Sequence, residues 1–227
     1  MTSDEQKRAA GAAAAELVEA DMTVGLGTGS TAVWFVRALA ARGLVVRCVA
    51  TSEATADLAR SLGLPLVDID AAGPIDLTVD GADEIGPGLA LIKGGGAALL
   101  REKLVWSASH RCVVIADAGK VLASLGKFPL PVEVVAFGHT TTARRIAKAA
   151  DACGVAALPV LRMRDAIPVR TDGGNLIYDL PCGAIGNPEG LARELKGLTG
   201  VVEHGLFLGA AERALIGTDA GVKTLYP

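Results

Sequence analysis

The apolar positions of this chain fall into short runs separated by stretches with helical spacing. Residues 22–27, 44–50, 65–69, 75–79 and 112–116 are rich in Val, Leu and Ile and too short for helices. Such runs read as strands of a buried sheet. Between them, a helix is expected from a cap at Ser3, with Asp4 and Glu5 in its first turn, to about Ala20. Further helices are expected over 32–41, ending near Gly43, over 53–62, stopped by Gly63, and over 99–109. Strands that alternate with helices predict βαβ units and a mostly parallel sheet.

The pattern changes after Gly126. Lys127-Phe128-Pro129-Leu130-Pro131 is a proline-marked boundary, followed by a strand-like run over 132–137 and a helix over 140–153. Residues 166–170 and 176–180 flank Thr171-Asp172-Gly173-Gly174-Asn175 and read as a hairpin around a glycine turn. A helix over 188–198 and a strand over 201–208 complete this part, and 214–217 and 222–226 close the chain. The expected division is a catalytic α/β domain of residues 1–127 and 206–227, with a smaller α+β domain inserted at 128–205. The main domain is expected to be Rossmann-like, a mostly parallel sheet with helices on both faces.

Composition narrows the function classes. A chain of 227 residues with 51% hydrophobic and 21% charged positions can bury a real core, and 4% aromatic content leaves that core to Ala, Val, Leu and Ile. A net charge of −3, with no block of Lys and Arg, argues against a nucleic-acid surface. The most apolar uncharged stretch, 22–36, holds three glycines and several threonines, so no membrane span is expected. Cys48, Cys112, Cys153 and Cys182 have no CxxC spacing, which predicts reduced thiols and no zinc site. The charged N-terminal stretch is unlike a signal peptide. A cytoplasmic protein is expected.

Three stretches carry chemistry. In Gly25-Leu26-Gly27-Thr28-Gly29-Ser30-Thr31 a strand gives way to a helix. Inward-turned amides, a helix N-terminus and two hydroxyls favour an anion there, typically phosphate; a purely structural turn is the alternative. Ser30 replaces the last glycine of a dinucleotide fingerprint, and no Gly-Lys-Ser/Thr of a Walker loop occurs. In Asp80-Gly81-Ala82-Asp83-Glu84 the acids could hold Mg²⁺, cap turns or move protons on a polyol. Glu84 is the one most readily explained as structural. In Lys93-Gly94-Gly95-Gly96 a lysine and glycine amides could hold a developing oxyanion. Glu102, within Arg101-Glu102-Lys103, reads on spacing alone as part of a solvated helix face. His110, His139 and His204 share no motif.

Taken together, these stretches resemble ribose-5-phosphate isomerase of the A type. Also matching are Ile115-Ala116-Asp117-Ala118-Gly119-Lys120, the run Gly126-Lys127-Phe128-Pro129-Leu130-Pro131-Val132-Glu133-Val134, and Gly205-Leu206-Phe207, all in family order. The resemblance implies interconversion of ribose 5-phosphate and ribulose 5-phosphate in the pentose phosphate pathway, with no metal and no cofactor. By the same resemblance Glu102 is the base acting through an enediol, Asp80 and Asp83 handle hydroxyl protons, and Lys93 with Gly94, Gly95 and Gly96 steadies the enediolate. Thr28, Gly29, Ser30, Thr31, Gly81, Ala82, Lys120 and Lys7 are the implied substrate-binding residues. The partners implied are a sugar phosphate and further copies of the chain, as a homodimer or homotetramer. A CoA transferase, a sugar-phosphate deaminase and a non-catalytic sugar-phosphate sensor are the competing readings. The first would use a glutamate in a different glycine context. The second would be expected to use a histidine-containing site, whereas no histidine lies in these motifs. The third would not need Asp80, Asp83, Lys93 and Glu102 together.

Overall fold

A computed structural model describes all 227 residues. In chain order the elements are α1 (Ser3–Ala15), β1 (Thr23–Leu26), α2 (Ala32–Ala41), β2 (Arg47–Ala50), α3 (Glu53–Ser61), α4 (Ile69–Ala72), β3 (Leu77–Gly81), β4 (Glu84–Ile85) and β5 (Leu91–Ile92). They continue with α5 (Leu99–Ser107), β6 (Cys112–Asp117), β7 (Leu130–Val134), α6 (His139–Ala152), β8 (Val160–Leu161), β9 (Met163–Arg164) and β10 (Ile167–Pro168). The last are β11 (Leu176–Leu180), α7 (Pro188–Lys196), β12 (Val201–His204), β13 (Leu206–Phe207), β14 (Arg213–Thr218) and β15 (Gly221–Leu225).

The chain divides into two compact units. The first comprises Met1–Ala82, Arg101–Val121 and Gly209–Pro227; the second comprises Asp83–Leu100 and Leu122–Leu208. Residues 83–100 and 206–208 therefore group with the second unit, whereas the sequence reading placed them with 1–127 and 206–227.

The first unit is built on a six-stranded sheet ordered β15-β14-β6-β3-β1-β2. All neighbours are parallel except β14 and β15, which form a hairpin. Alternate residues of each strand face opposite sides of the sheet. Val24, Leu26, Leu77, Val79, Val113 and Ile115 point to one face, where α1 and α2 cover them with Ala10, Ala14, Phe35, Val36 and Leu39. Val49 and Ile75 meet Val105 of α5 on the other. Helices on both faces of a mostly parallel sheet are what the alternating pattern predicts. Phe35 is fully buried, and truncating it to Ala would cost about 3–5 kcal/mol.

Three local expectations are corrected in this unit. The cap of α1 is Thr2, not Ser3: its hydroxyl accepts from the Glu5 amide (3.3 Å) while the Glu5 carboxylate accepts from the Thr2 amide (2.7 Å). That reciprocal box moves Ser3 into the first turn. The helix ends at Ala15 rather than near Ala20, because Arg42 donates to the carbonyls of Ala15 and Val18 that a longer helix would have used. Residues 65–69 make one bridge, Cys48 to Leu66, and then Asp68 caps α4 by accepting from the Asp70 amide (2.9 Å).

The second unit carries an antiparallel four-stranded sheet ordered β12-β7-β11-β8 and a three-stranded one ordered β13-β5-β4. Leu130, Val132, Val134, Leu176, Tyr178 and Leu180 form a core with Ile146 and Ala150 of α6 and Leu191 and Leu195 of α7. The α+β character is as expected, and the glycine turn at 171–175 is closed by an antiparallel bridge between Arg170 and Leu176, with the Thr171 amide donating to the Asn175 carbonyl (3.0 Å). Beyond that bridge the two expected strands part. β10 pairs with β9, closed by Asp165 and Ala166 at φ 49° and 64°, and β11 lies between β7 and β8. Asp-Ala is not a glycine turn signal, so this pairing was invisible in the sequence. The expected strand over 201–208 is broken at Gly205, and its two halves join different sheets.

Candidate active site

In the first unit, the register of β1 on β3 pairs Leu26 with Val79, so the residues after both strands emerge at the C-terminal edge of the sheet. That edge is where parallel sheets place ligands. Gly27 follows β1 because nothing larger fits: a Cβ there would lie 2.2 Å from Oδ1 of Asp80. Asp80 is fully buried, and its Oδ1 accepts from the amides of Thr28 (3.0 Å) and Gly81 (2.7 Å). The first candidate carboxylate and the first candidate anion turn are thus one hydrogen-bonded construction.

Thr28 is also held from the side of α3. Its hydroxyl lies 2.7 Å from Thr51 Oγ1, 2.8 Å from Ser52 Oγ and 3.2 Å from Thr55 Oγ1. Thr51 donates to the Leu26 carbonyl and Thr55 to the Gly27 carbonyl, each at 3.0 Å, while Ser52 donates to Thr55 at 3.0 Å. A hydroxyl has one proton to give. With these three protons assigned, the Thr28 proton goes inward to Ser52 or Thr51. The Thr28 hydroxyl therefore braces the turn; Thr28 is partly buried and Thr31 buried. Gly29 and Ser30 are exposed.

Glu102, near the start of α5, is only 4% exposed, which contradicts the solvated-face reading that spacing alone gave. Its neighbour Arg101 is the surface residue, and it pairs with Glu53 at 2.8 Å. The Arg101 guanidinium holds the Glu53 carboxyl below its ordinary range. Lys120 ends a short turn opened by Asp117, whose carboxylate accepts from the Gly119 amide (3.0 Å). Gln6 accepts from the Ala118 amide (3.2 Å), which ties the segment of α1 bearing Lys7 to that same turn. Lys7 and Lys120 are both half-buried.

The second unit holds the other candidates. Asp83 accepts from the Gly95 amide at 2.7 Å, linking the second acid to the lysine–glycine turn. Lys93 is 2% exposed; its amide donates to the Gly205 carbonyl (2.8 Å), and its ammonium sits 5.4 Å from the centre of the Phe207 ring. Gly94 has φ +107°, a conformation that disfavours any side chain. Glu84 is buried and takes the amides of Gly126 (2.7 Å) and Phe128, so it is structural, as its composition suggested.

Comparison with known proteins decides the family. A model of ribose 5-phosphate isomerase A (phosphoriboisomerase A) matches residues 47–221. Over the full length of both chains, the sequence is 65% identical to ribose-5-phosphate isomerase A of Caulobacter sp. (strain K31). This chain belongs to the ribose 5-phosphate isomerase A family. Among solved structures, ribose 5-phosphate isomerase A from Neisseria gonorrhoeae superposes with TM-score 0.92 at 37% identity, covering 100% of this chain and 98% of that one. A D-ribose-5-phosphate isomerase holding phospho-erythronic acid superposes at TM-score 0.93 and 36% identity, with both chains covered completely.

Several supporting residues carried no family motif. Thr51, Ser52 and Thr55 are marked in the sequence only by being a cluster of hydroxyls after a buried strand. Arg162 and Asp179 sit in the second unit far from any glycine motif, yet Arg162 donates to the carbonyls of Gly94 (2.8 Å) and Gly95 (3.1 Å). All four cysteines are free, and burial pushes the buried Cys48 thiol up to about 12 and the partly buried Cys182 thiol to about 11.

Proposed function

We propose that this chain interconverts D-ribose 5-phosphate and D-ribulose 5-phosphate by proton transfer through an enediol(ate). The observation that carries the reading is the whole-length match to ribose-5-phosphate isomerase A proteins, 65% identical over 227 residues in the Caulobacter sp. (strain K31) relative. In the proposed mechanism Glu102 takes the proton from C2 of the open-chain aldose. The C2–H electrons form the C1–C2 double bond, and the carbonyl oxygen at C1 becomes negative. A proton then passes from the C2 hydroxyl to the C1 oxygen. As the C2 oxygen re-forms a carbonyl, the double-bond electrons take the abstracted proton back at C1, which gives the ketose. A base beside donors aimed at that oxygen is what this chemistry requires.

Lys93 and the amides of the 93–96 turn are assigned to the developing oxyanion. Asp80 and Asp83 are assigned to hydroxyl protons, including those of furanose opening. Each already accepts one backbone amide or more, which fixes its orientation. Gly29, Ser30, Thr31, Lys120 and Lys7 are assigned to the phosphate, with Gly81 and Ala82 lining the sugar. A phosphate anchor lets remote binding energy orient the reacting carbons. No redox cofactor is needed, because no electrons leave the substrate; the reading also includes no metal.

The reading includes self-association as a dimer or tetramer and a cytoplasmic location, with no nucleic-acid or membrane partner. Phe137, Leu158, Val160 and Ile167 are large apolar residues that are 60–95% exposed in the second unit, which supports contact with a further copy. No helix is long and apolar enough to cross a membrane. Light scattering on the purified chain measures the assembly. For the mechanism, Glu102→Gln is expected to lower turnover on the order of 10²–10⁴-fold with substrate binding largely kept. Full activity in that variant would remove Glu102 from the role of base.

A further inference from the structure

We propose that Arg162 is a positioning residue for the 93–96 turn, acting with Asp179 to aim its peptide dipoles at the enediolate; this rests on the isomerase reading above. Arg162 follows β8, where its amide donates to the Ile177 carbonyl (2.8 Å) and its carbonyl accepts from the Val169 amide (2.9 Å). The register pairs Val160 with Asp179. Arg162, two residues beyond Val160, therefore lies on the same face of the sheet, diagonal to Asp179. Its Nε donates to Asp179 Oδ2 at 2.8 Å and its Nη2 contacts Oδ1, so the carboxylate occupies one edge of the guanidinium.

The remaining nitrogen, Nη1, donates to the Gly94 carbonyl (2.8 Å) and the Gly95 carbonyl (3.1 Å). The Arg162 side chain is only 14% exposed, so these contacts are little weakened by water. In a trans peptide the C=O and the following N–H point in opposite directions. The Gly94 carbonyl meets Arg162, and in the same peptide unit the Gly95 N–H meets Asp83 at 2.7 Å. The Gly95 carbonyl also meets Arg162, so the Gly96 N–H is turned away from the guanidinium as the Gly95 N–H is. Both negative ends are thus tied to a cation, while of the two positive ends the Gly95 N–H holds Asp83 in place and the Gly96 N–H is the one directed at the enediolate. Gly95 and Gly96 are exposed.

Such an arrangement is an oxyanion-stabilising device. Donors fixed before the reaction stabilise charge that develops during it, because they need no reorganisation. Arginine suits the task where lysine does not, since only a planar fork can hold a carboxylate on one edge and two carbonyls from another nitrogen. Arg162 touches no reacting atom in this scheme; it acts through the turn.

The test compares two ligands across Arg162→Met. Phospho-erythronic acid carries a carboxylate as well as a phosphate, and inorganic phosphate carries only the anchor. Arg162→Met is expected to lower kcat on the order of 10- to 100-fold and to weaken phospho-erythronic acid by a similar factor. KM for ribose 5-phosphate and the affinity for inorganic phosphate should stay within about threefold. Asp179→Asn should shift the same quantities in the same direction by less. An unchanged kcat, or a kcat loss matched by an equal loss of inorganic phosphate affinity, overturns the proposal. If Arg162→Met lacks a cooperative melt, Arg162→Lys decides: about tenfold lower kcat and analogue affinity supports it, and wild-type values overturn it. Calorimetric binding needs no turnover. A wild-type chain that shows Arg162-dependent analogue binding but leaves ribose 5-phosphate unchanged overturns the isomerase reading alone.

Discussion

The two glycine turns of this protein solve one problem with opposite materials. Each hands a backbone amide to an aspartate, Thr28 to Asp80 in the first unit and Gly95 to Asp83 in the second. Behind the first stands a set of neutral hydroxyls from Thr51, Ser52 and Thr55, with their protons running into the Leu26 and Gly27 carbonyls. Behind the second stands a guanidinium. The difference matches the proposed charges. A phosphate arrives fully charged and meets lysines and a helix N-terminus, so its turn needs only shape. An enediolate exists only during reaction, and its turn gains from a fixed cation that strengthens donors in advance. Bracing by hydroxyls fixes geometry; bracing by arginine also fixes potential.

The largest expected effect comes from breaking geometry in the first turn. In Gly27→Ala the new methyl would stand 2.2 Å from Asp80 Oδ1, so either the carboxylate or the turn must move. Turnover should fall by at least about 100-fold, since displacements near 1 Å carry that cost. The overlap should also lower stability by about 1–3 kcal/mol. Steady-state kinetics and a thermal melt check both numbers. Wild-type kcat in this variant would mean that Asp80 does not need its present position.

A sharper probe of the same turn is Thr28→Val, which keeps shape and removes the hydroxyl. If the proton points inward, kcat should fall about tenfold while inorganic phosphate affinity barely changes. Losing the one hydrogen bond that Thr28 donates to Ser52 or Thr51 should cost about 1 kcal/mol of stability. Thr55→Val should give a related loss, and the two changes should be strongly non-additive because they share one network. A large loss of phosphate affinity in Thr28→Val would instead make Thr28 a direct ligand, and the contrast between the turns would narrow.

Smaller still is the ion pair outside the first turn. Arg101 holds the Glu53 carboxyl below its ordinary range, and both side chains are largely exposed. A depressed carboxyl contributes stability above its unfolded pKa, and that contribution is lost as pH falls through the lower folded value. Glu53→Gln should therefore differ slightly from wild type in Tm at neutral pH and low salt. The difference should vanish on acidification below roughly pH 4, and also in high salt. Pair formation that shifts Tm strongly and independently of salt would assign Glu53 to the structural core of the site.

Much of this was legible in the chain. The alternation of apolar runs and helices gave the parallel sheet, and each glycine motif fell where a strand ends. Glu102 shows the limit of spacing: its surroundings are set by α5 as a whole, and only family resemblance distinguished it from its surface neighbours. Arg162 was hidden for a different reason. Its role depends on the register between β8 and β11, a long-range pairing that no local pattern encodes. The early stop of α1 was hidden likewise, because the side chain that takes its last carbonyls, Arg42, lies in the turn after α2. Turns closed by Asp165 and Ala166 escaped because neither residue announces a left-handed backbone.

The most direct measurement is turnover of ribose 5-phosphate by the purified wild-type chain, followed as ketopentose formation with excess chelator present. The account predicts full activity that is unchanged by added divalent cations. No ketopentose, or activity that is lost on chelation and restored by a metal, would contradict it.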